Sequence, residues 1–274
     1  MKRRLLLALL AIVTATALPQ QRATISGMVV DADGNAVEYA TVGIPSKRTG
    51  TLTGTNGVFT LDIADADDDT LLITHVSYEN ARIPVNSLHC EGEVCITLNA
   101  KELAEAVIYP GKKKSAKLAG KGTRVPGAAT KMTAGNIGNE IGSIVETKRP
   151  FEVREIEFNV THCSLKDARF SINIYKADST ECHFRNTLCK PIYVDIPTVN
   201  GKQKINVTVD ERITLEASRY FVSVMLVDYS KHANAGHILF PLYLKSSYIR
   251  NGVMDELESI PVNMGLTVKG VEYR

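Results

Sequence analysis

The sequence contains no tryptophan, and only 6% of its residues are aromatic. Flat sugar platforms favour Trp, so any carbohydrate surface here would have to be built from tyrosine. Charge of one sign is lacking as well. The net charge of +2 gives no basic face of the kind that captures nucleic acid. Long apolar runs are missing after the first residues, so nothing in the mature chain approaches the roughly 20 apolar residues that span a bilayer as a helix. Catalytic signatures are absent too. There is no G-x-S-x-G elbow, no glycine-rich phosphate loop leading from strand to helix, and no C-x-x-C or H-x-E-x-H-like spacing for a zinc site. These gaps imply no cofactor, no metal and no enzyme.

What is present begins at the N-terminus. Lys2, Arg3 and Arg4 precede the apolar run Leu5 to Val13, and Ala15-Thr16-Ala17 follows. This is the plan of a secretory signal peptide over 1–17, cleaved after Ala17. The run is too short for an anchor. The first cysteine is Cys90, so no cysteine is placed to carry a lipid at a new N-terminus. Export brings an oxidising compartment. Cys90 with Cys95, and Cys182 with Cys189, could each close a short loop, leaving Cys163 over. Spacing alone does not decide connectivity, and buried free thiols remain the competing reading.

The pattern after the leader is that of β-structure. Short apolar runs recur through residues 24–98, separated by turn chemistry such as Asp33-Gly34 and Asn56-Gly57. Strand spacing of this kind indicates a small β-sandwich. Residues 111–135 are rich in Lys, Gly and Ala with few large apolar side chains, which reads as a solvated, basic, flexible linker. Beyond it, Ile156, Phe158 and Val160 alternate, as do Phe170, Ile172 and Ile174. Tyr220 to Val227 is apolar throughout, as for a strand covered on both faces. Pro241 marks its strand as an edge or bulged one, and Met254 to Ser259 could form one helical turn. The expected fold is all-β: a transthyretin/Ig-like sandwich over 22–110, the linker 111–135, and a second, jelly-roll-like sandwich over 136–274.

Single motifs fall short of chemistry. Asp31, Asp33 and Asn35 begin like an EF-hand loop, but Ala36 and Val42 stand where it needs Gly and Glu. Asp65, Asp67, Asp68 and Asp69 read as a solvated turn. His162-Cys163 and Cys182-His183 could meet across strands, though export favours disulfides over zinc. His232 and His237 flank a small-residue loop. Glu155 and Glu157 look solvent-facing against Ile156 and Phe158.

Four stretches in order resemble the carboxypeptidase-regulatory-like (transthyretin-like) domain of exported Bacteroidetes envelope proteins: ISGMVVDADGNAVEYATVGI, GTLTGTNGVFTLDI, LLITHVSYENARIPV and VCITLNAKELAEAVIYPG. Ser77 and Ala106 depart from the usual Gly and Val. The resemblance implies a β-sandwich, with Gly34 and Gly57 at positive φ and Phe59 in the core. In that family the domain often precedes a TonB-dependent receptor. About 140 residues after the linker are too few for its barrel, so a short form is expected. The resulting expectation is a non-catalytic, exported envelope module, periplasmic, outer-membrane-associated or at the cell surface. It would contact an envelope protein or a glycan and no nucleic acid. The alternative is carbohydrate binding by the second sandwich. Tyr175, Tyr193, Tyr229, Tyr243 and Tyr248 would then gather on one exposed face.

Overall fold

The computed structural model describes all residues except 1–21, 65–67, 89–93, 102–108, 179–183 and 231–235. The leader with its Ala17 cleavage site lies outside the described residues. Seven strands form the first unit: β1 (Arg22–Asp31), β2 (Thr41–Ile44), β3 (Thr49–Leu52), β4 (Val58–Ala64), β5 (Thr70–His75), β6 (Tyr78–Pro84) and β7 (Val94–Leu98). They make two sheets, ordered β4-β1-β7 and β3-β2-β5-β6. The inner faces supply Val29, Phe59, Leu71, Ile73, Ile96 and Leu98 to one core. Gly34 (φ 85) and Gly57 (φ 75) occupy the two hairpin positions where only glycine is unstrained. Asp31 completes the first turn, its Oδ1 accepting the backbone N–H groups of Asp33 and Asn35 at 3.0 and 2.8 Å. That is an Asx turn and not a calcium loop.

The second unit comprises β8 (Lys113–Ala119), β9 (Thr123–Thr133), β10 (Glu140–Thr147), β11 (Phe151–Cys163), β12 (Ala168–Ala177) and β13 (Phe184–Asn186). It continues with β14 (Ile192–Ile196), β15 (Val199–Leu215), β16 (Ser218–Asp228), β17 (His237–Arg250), β18 (Glu258–Asn263) and β19 (Thr267–Tyr273). These twelve strands are continuous through β17. The first half of β17 pairs with β9 and β11, and the second half with β18 and β10. One long strand therefore stitches together two layers of a sandwich. Phe240 on β17 sits between Phe158 of β11 and Phe170 of β12, with ring centroids 6.2 and 5.8 Å away. All three rings are fully buried. Phe240→Ala would open a cavity at the centre and cost about 3–5 kcal/mol.

Two sequence expectations change. Residues 111–135 are not a flexible linker: β8 pairs with β19 from Lys113 to Ala119, and β9 pairs with β17. Neither strand buries a full apolar face, so the segment carries no periodic signal. Backbone hydrogen bonding to an existing sheet places it instead. Of the two readings of Pro241, edge or bulge, the bulge holds: β17 is interior to the sheet, and its pairing with β9 slips between Pro241 and Tyr243, as a proline that cannot donate requires. Residues 254–259 form no helical turn, and β18 starts at Glu258. β16 lies between β12 and β10 and is buried along most of its length, as its apolar run indicates. No described helix is long and apolar enough to cross a membrane.

Candidate functional site

The two sandwiches meet along β2, β3 and β5 on one side and β12, β14 and β16 on the other. Alternation sets up the contact. On β12, Phe170, Ile172 and Ile174 point into the core, so Ser171, Asn173 and Tyr175 face outward. On β16, Val222, Val224 and Leu226 face the core while Ser223, Met225 and Val227 face out. An outer sheet face of this kind is ordinarily wet, but the first sandwich covers it. Tyr39, Leu52 and Val227 form a small apolar cluster across the junction, flanked by Tyr193, Met225 and Val253. Gly43 and Gly50 permit the approach. A Cβ on either would come within 2.6 Å of Met254 Cγ or Val253 Cγ2.

Tyr39 is the main tie. It is a non-glycine residue held at φ 53, a left-handed conformation that its contacts must stabilise. Its ring meets Tyr193 edge-on at 5.2 Å, and its hydroxyl donates to Asp228 Oδ2 at 3.1 Å. Burial, with the Asp228 charge beside it, pushes the Tyr39 hydroxyl up to about 12.

Beside this tie the junction opens into a cleft of about 370 Å³. The first sandwich lines it with Thr41, Thr74, His75, Asn80 and Lys101. The second contributes Ser171, Asn173, Tyr175 and Arg250, with Phe184 and Arg185 at the mouth. Behind the lining lies Glu140, 0% exposed. Its carboxylate accepts from Asn173 Nδ2 at 2.8 Å, Ser223 Oγ at 2.6 Å and the Tyr175 hydroxyl at 3.3 Å. Arg250 Nη1 stands 3.5 Å off. A buried carboxylate is tolerable only with such a set of donors. Burial and the neighbouring Glu140 charge raise the Tyr175 hydroxyl far above the ordinary tyrosine range, so it stays a donor. Arg250 lies over the Tyr175 ring, Cζ 5.6 Å from the centroid. Its Nε is buried and finds no hydrogen-bond partner.

At the opposite wall, burial pushes His75 down to about 4, helped by the Lys101 charge. The imidazole is therefore neutral, and Nδ1 accepts the Ser77 backbone N–H at 3.2 Å. Lys101 Nζ donates to the carbonyls of His75 and Val76 at 3.1 and 3.2 Å.

None of these cleft residues except Tyr175 and Tyr193 was singled out from sequence for binding. The signal available was the alternation Ser171, Asn173, Tyr175. It marks an outer face without saying that another sandwich covers it. The five candidate tyrosines do not share one exposed face. Tyr175 and Tyr193 reach the junction, Tyr243 is buried, and Tyr248 packs on Phe184 and Phe221. Glu157 is not solvent-facing: it is 6% exposed beneath Lys269, Lys204 and Lys121 at 2.8, 3.1 and 3.6 Å. Glu152 is covered likewise by Arg154, Lys113, Arg212 and the Tyr273 hydroxyl.

Cys163 is buried, and burial raises its thiol, so it is no activated nucleophile. The adjacent His162 ring lies tilted against that of His237, centroids 4.8 Å apart. Among the described residues Cys95, Cys163 and Cys189 form no disulfide. Cys90 and Cys182, the expected partners of Cys95 and Cys189, lie outside the described residues, as do Asp65, Asp67, His183 and His232. Among the described residues no group of three or more His, Cys, Asp or Glu is arranged to hold a metal ion.

The four ordered stretches and the seven-strand sandwich agree with a family comparison. Residues 25–108 match the model of the CarboxypepD_reg-like domain. The match covers the first sandwich and less than half of the chain. A search of curated proteins found no match. Solved structures align only distantly. A family two carbohydrate esterase from Cellvibrio japonicus aligns at 11% identity and TM-score 0.23, over 60% of this chain and 36% of its own. The VP2 subviral particle of infectious bursal disease virus aligns at 11% identity and TM-score 0.29, over 92% and 64%. A structure of promiscuous carbohydrate-binding modules of the β-sandwich superfamily aligns at 10% identity and TM-score 0.20, over 88% and 98%. The chain thus spans about a third of the esterase and under two thirds of the viral protein.

Proposed function

We propose that the chain is a non-catalytic binding module, exported to the cell envelope, which takes its partner at the cleft between the two sandwiches. The single observation that carries this reading is the cleft itself. Polar side chains from both units converge there on a volume typical of ligand sites. Its acid–base groups are engaged within the protein: Glu140 by Asn173, Ser223 and Tyr175, and His75 Nδ1 by the Ser77 amide. The hydroxyl that Ser223 gives to Glu140 is itself fully buried and out of a ligand's reach, which favours recognition over turnover. Residues 1–17 support export, and the domain match at 25–108 fits an accessory role. Of the two partner classes, protein and glycan, Tyr175 and Tyr193 beside polar side chains favour the glycan.

The test is retention of partners from native envelope extract and on a glycan array by the mature protein and by Asn80→Trp. Asn80 is exposed at the cleft mouth, so the indole should obstruct entry without disturbing a core. The expected result is a retained species whose binding falls about tenfold or more in the variant, roughly 1.4 kcal/mol. Equal retention by both proteins would remove the cleft from the function.

A further inference from the structure

We infer that the cleft binds a small sugar acid, with its carboxylate at Arg250 and its ring beside Phe184 and Tyr193. The inference rests on the binding reading above and adds the chemistry of the ligand.

Charge is the first support. The charged residues among the described lining are Lys101, Arg185 and Arg250, with no Asp or Glu. The balancing carboxylate, Glu140, is fully buried behind them. Asp255 also acts on Arg250 electrostatically, without lining the cleft. For Arg250 the paired carboxylate is therefore behind the lining, and a ligand entering the cleft meets the guanidinium first. Low-dielectric walls on both sides strengthen that field.

The state of Arg250 is the second support. A guanidinium carries five N–H donors. Among the described residues this one has a single ion pair, to Glu140 at 3.5 Å, with the Tyr175 hydroxyl as a further partner, and its Nε has no acceptor. Its side chain is still 20% exposed. By contrast, Arg169 at the same junction is fully forked onto Asp195, at 2.7 and 3.0 Å. Arg250 thus presents a partly exposed guanidinium that is not forked onto any described carboxylate, and planar guanidinium favours carboxylate.

The rest of the lining selects the body of the ligand. Asn80 offers both donors and acceptors, as do the hydroxyls of Thr41, Thr74 and Ser171, while Asn173 and Asn186 are tied to Glu140 and to each other and hold the wall in place. Such groups suit the hydroxyl rim of a pyranose. Aromatic faces beside them suit its apolar C–H face. A bare inorganic anion would use the cations and leave the amides and rings idle. A volume near 370 Å³ accommodates one or two rings.

The experiment is a titration of the mature protein, followed by NMR shifts or calorimetry, in matched pairs: glucuronate against glucose, and galacturonate and a short oligogalacturonate against their neutral counterparts. Acetate serves as the carboxylate without a ring. The expected result is saturable binding of at least one acid, about tenfold or more tighter than its neutral partner and than acetate, and weakening with salt. Arg250→Lys keeps a cation for Glu140 but loses the planar fork, and should reduce acid binding about tenfold. Arg185→Gln, at an exposed position, should reduce it about threefold. If Arg250→Lys does not fold, Arg185→Gln and the acid–neutral comparison in the unaltered protein decide the matter. Equal binding of acid and neutral sugar overturns the anionic ligand while leaving the cleft as a binding site. No binding by any acid overturns the inference, and Asn80→Trp then judges the binding reading separately.

Discussion

Two buried glutamate settings in this molecule differ in what surrounds them. On the open face of β11, Glu157 is covered by three lysines within 3.6 Å, and Glu152 by three cations and a tyrosine hydroxyl. At the cleft, Glu140 relies on three neutral donors and one arginine at 3.5 Å. The first arrangement has more positive charge than its carboxylates require, and its cations are partly or largely exposed. The second is dry, and its one cation is not forked onto any described carboxylate. A well-covered surface network adds stability that salt and acid can erode. A dry, incompletely partnered pair marks a place where a ligand can add something.

The largest effect should come from the dry setting. Glu140→Ala leaves Arg250, Asn173 and Ser223 without their acceptor and should destabilise by about 3–5 kcal/mol, read from urea unfolding. A loss below about 1 kcal/mol would show that water satisfies these donors and that the cleft floor is not dry. His75 gives the next effect, through pH. Its folded value is lowered from 6.5 to about 4, so the fold prefers the neutral ring. The contribution is intact above pH 6.5 and is lost as pH falls from 6.5 towards 4. The loss should be about 2 kcal/mol, and His75→Asn should flatten that part of the stability–pH curve. A curve unchanged by the substitution would place His75 in water in both states.

Glu157 should show a smaller effect in a different window. The Lys269 and Lys204 hydrogen bonds hold its carboxyl down to about 2 against the burial that opposes them. Its contribution is present above pH 4.5 and is lost as pH falls towards 2. Glu157→Gln should cost about 1 kcal/mol, because the lysines are exposed and screened, and most of that loss should vanish in 1 M salt. A loss insensitive to salt would make this setting as dry as the cleft and remove the contrast. Tyr39→Phe is expected to be smallest in stability, about 1 kcal/mol for the bond to Asp228. Its sharper readout is hydrogen exchange in β2 and β14, which should quicken if that bond ties the sandwiches together.

Much of the first sandwich was legible because its signals are local. A hairpin needing φ > 0 shows itself as Gly34 or Gly57, and a half-buried strand shows itself by alternation. The apolar run Tyr220 to Val227 likewise announced a strand covered on both faces. β8 and β9 gave no such sign. Their side chains are mostly exposed, and what holds them is backbone pairing to β19 and β17, which is blind to side-chain type. The candidate site was the least legible part. Arg250 ends a long strand and looks like any surface cation. Glu140 looks like a solvated acid at the start of a strand. Tyr193 and Tyr175 were noticed as tyrosines, for an exposed face that does not exist.

Local chemistry along the chain was enough to specify β-structure, its turns and the two cores, since side-chain period and backbone preference act within a few residues. The docking of one sandwich on the outer face of the other depends on residues far apart in the chain. Tyr39 and Asp228 are separated by 189 positions, and Glu140 and Ser223 by 83. No short-range pattern records such a meeting. Desolvation depends on everything that covers a group, so only the assembled structure decided that Glu140 is dry, that His75 is neutral, and that Arg250 stands partly exposed at the edge of a cleft.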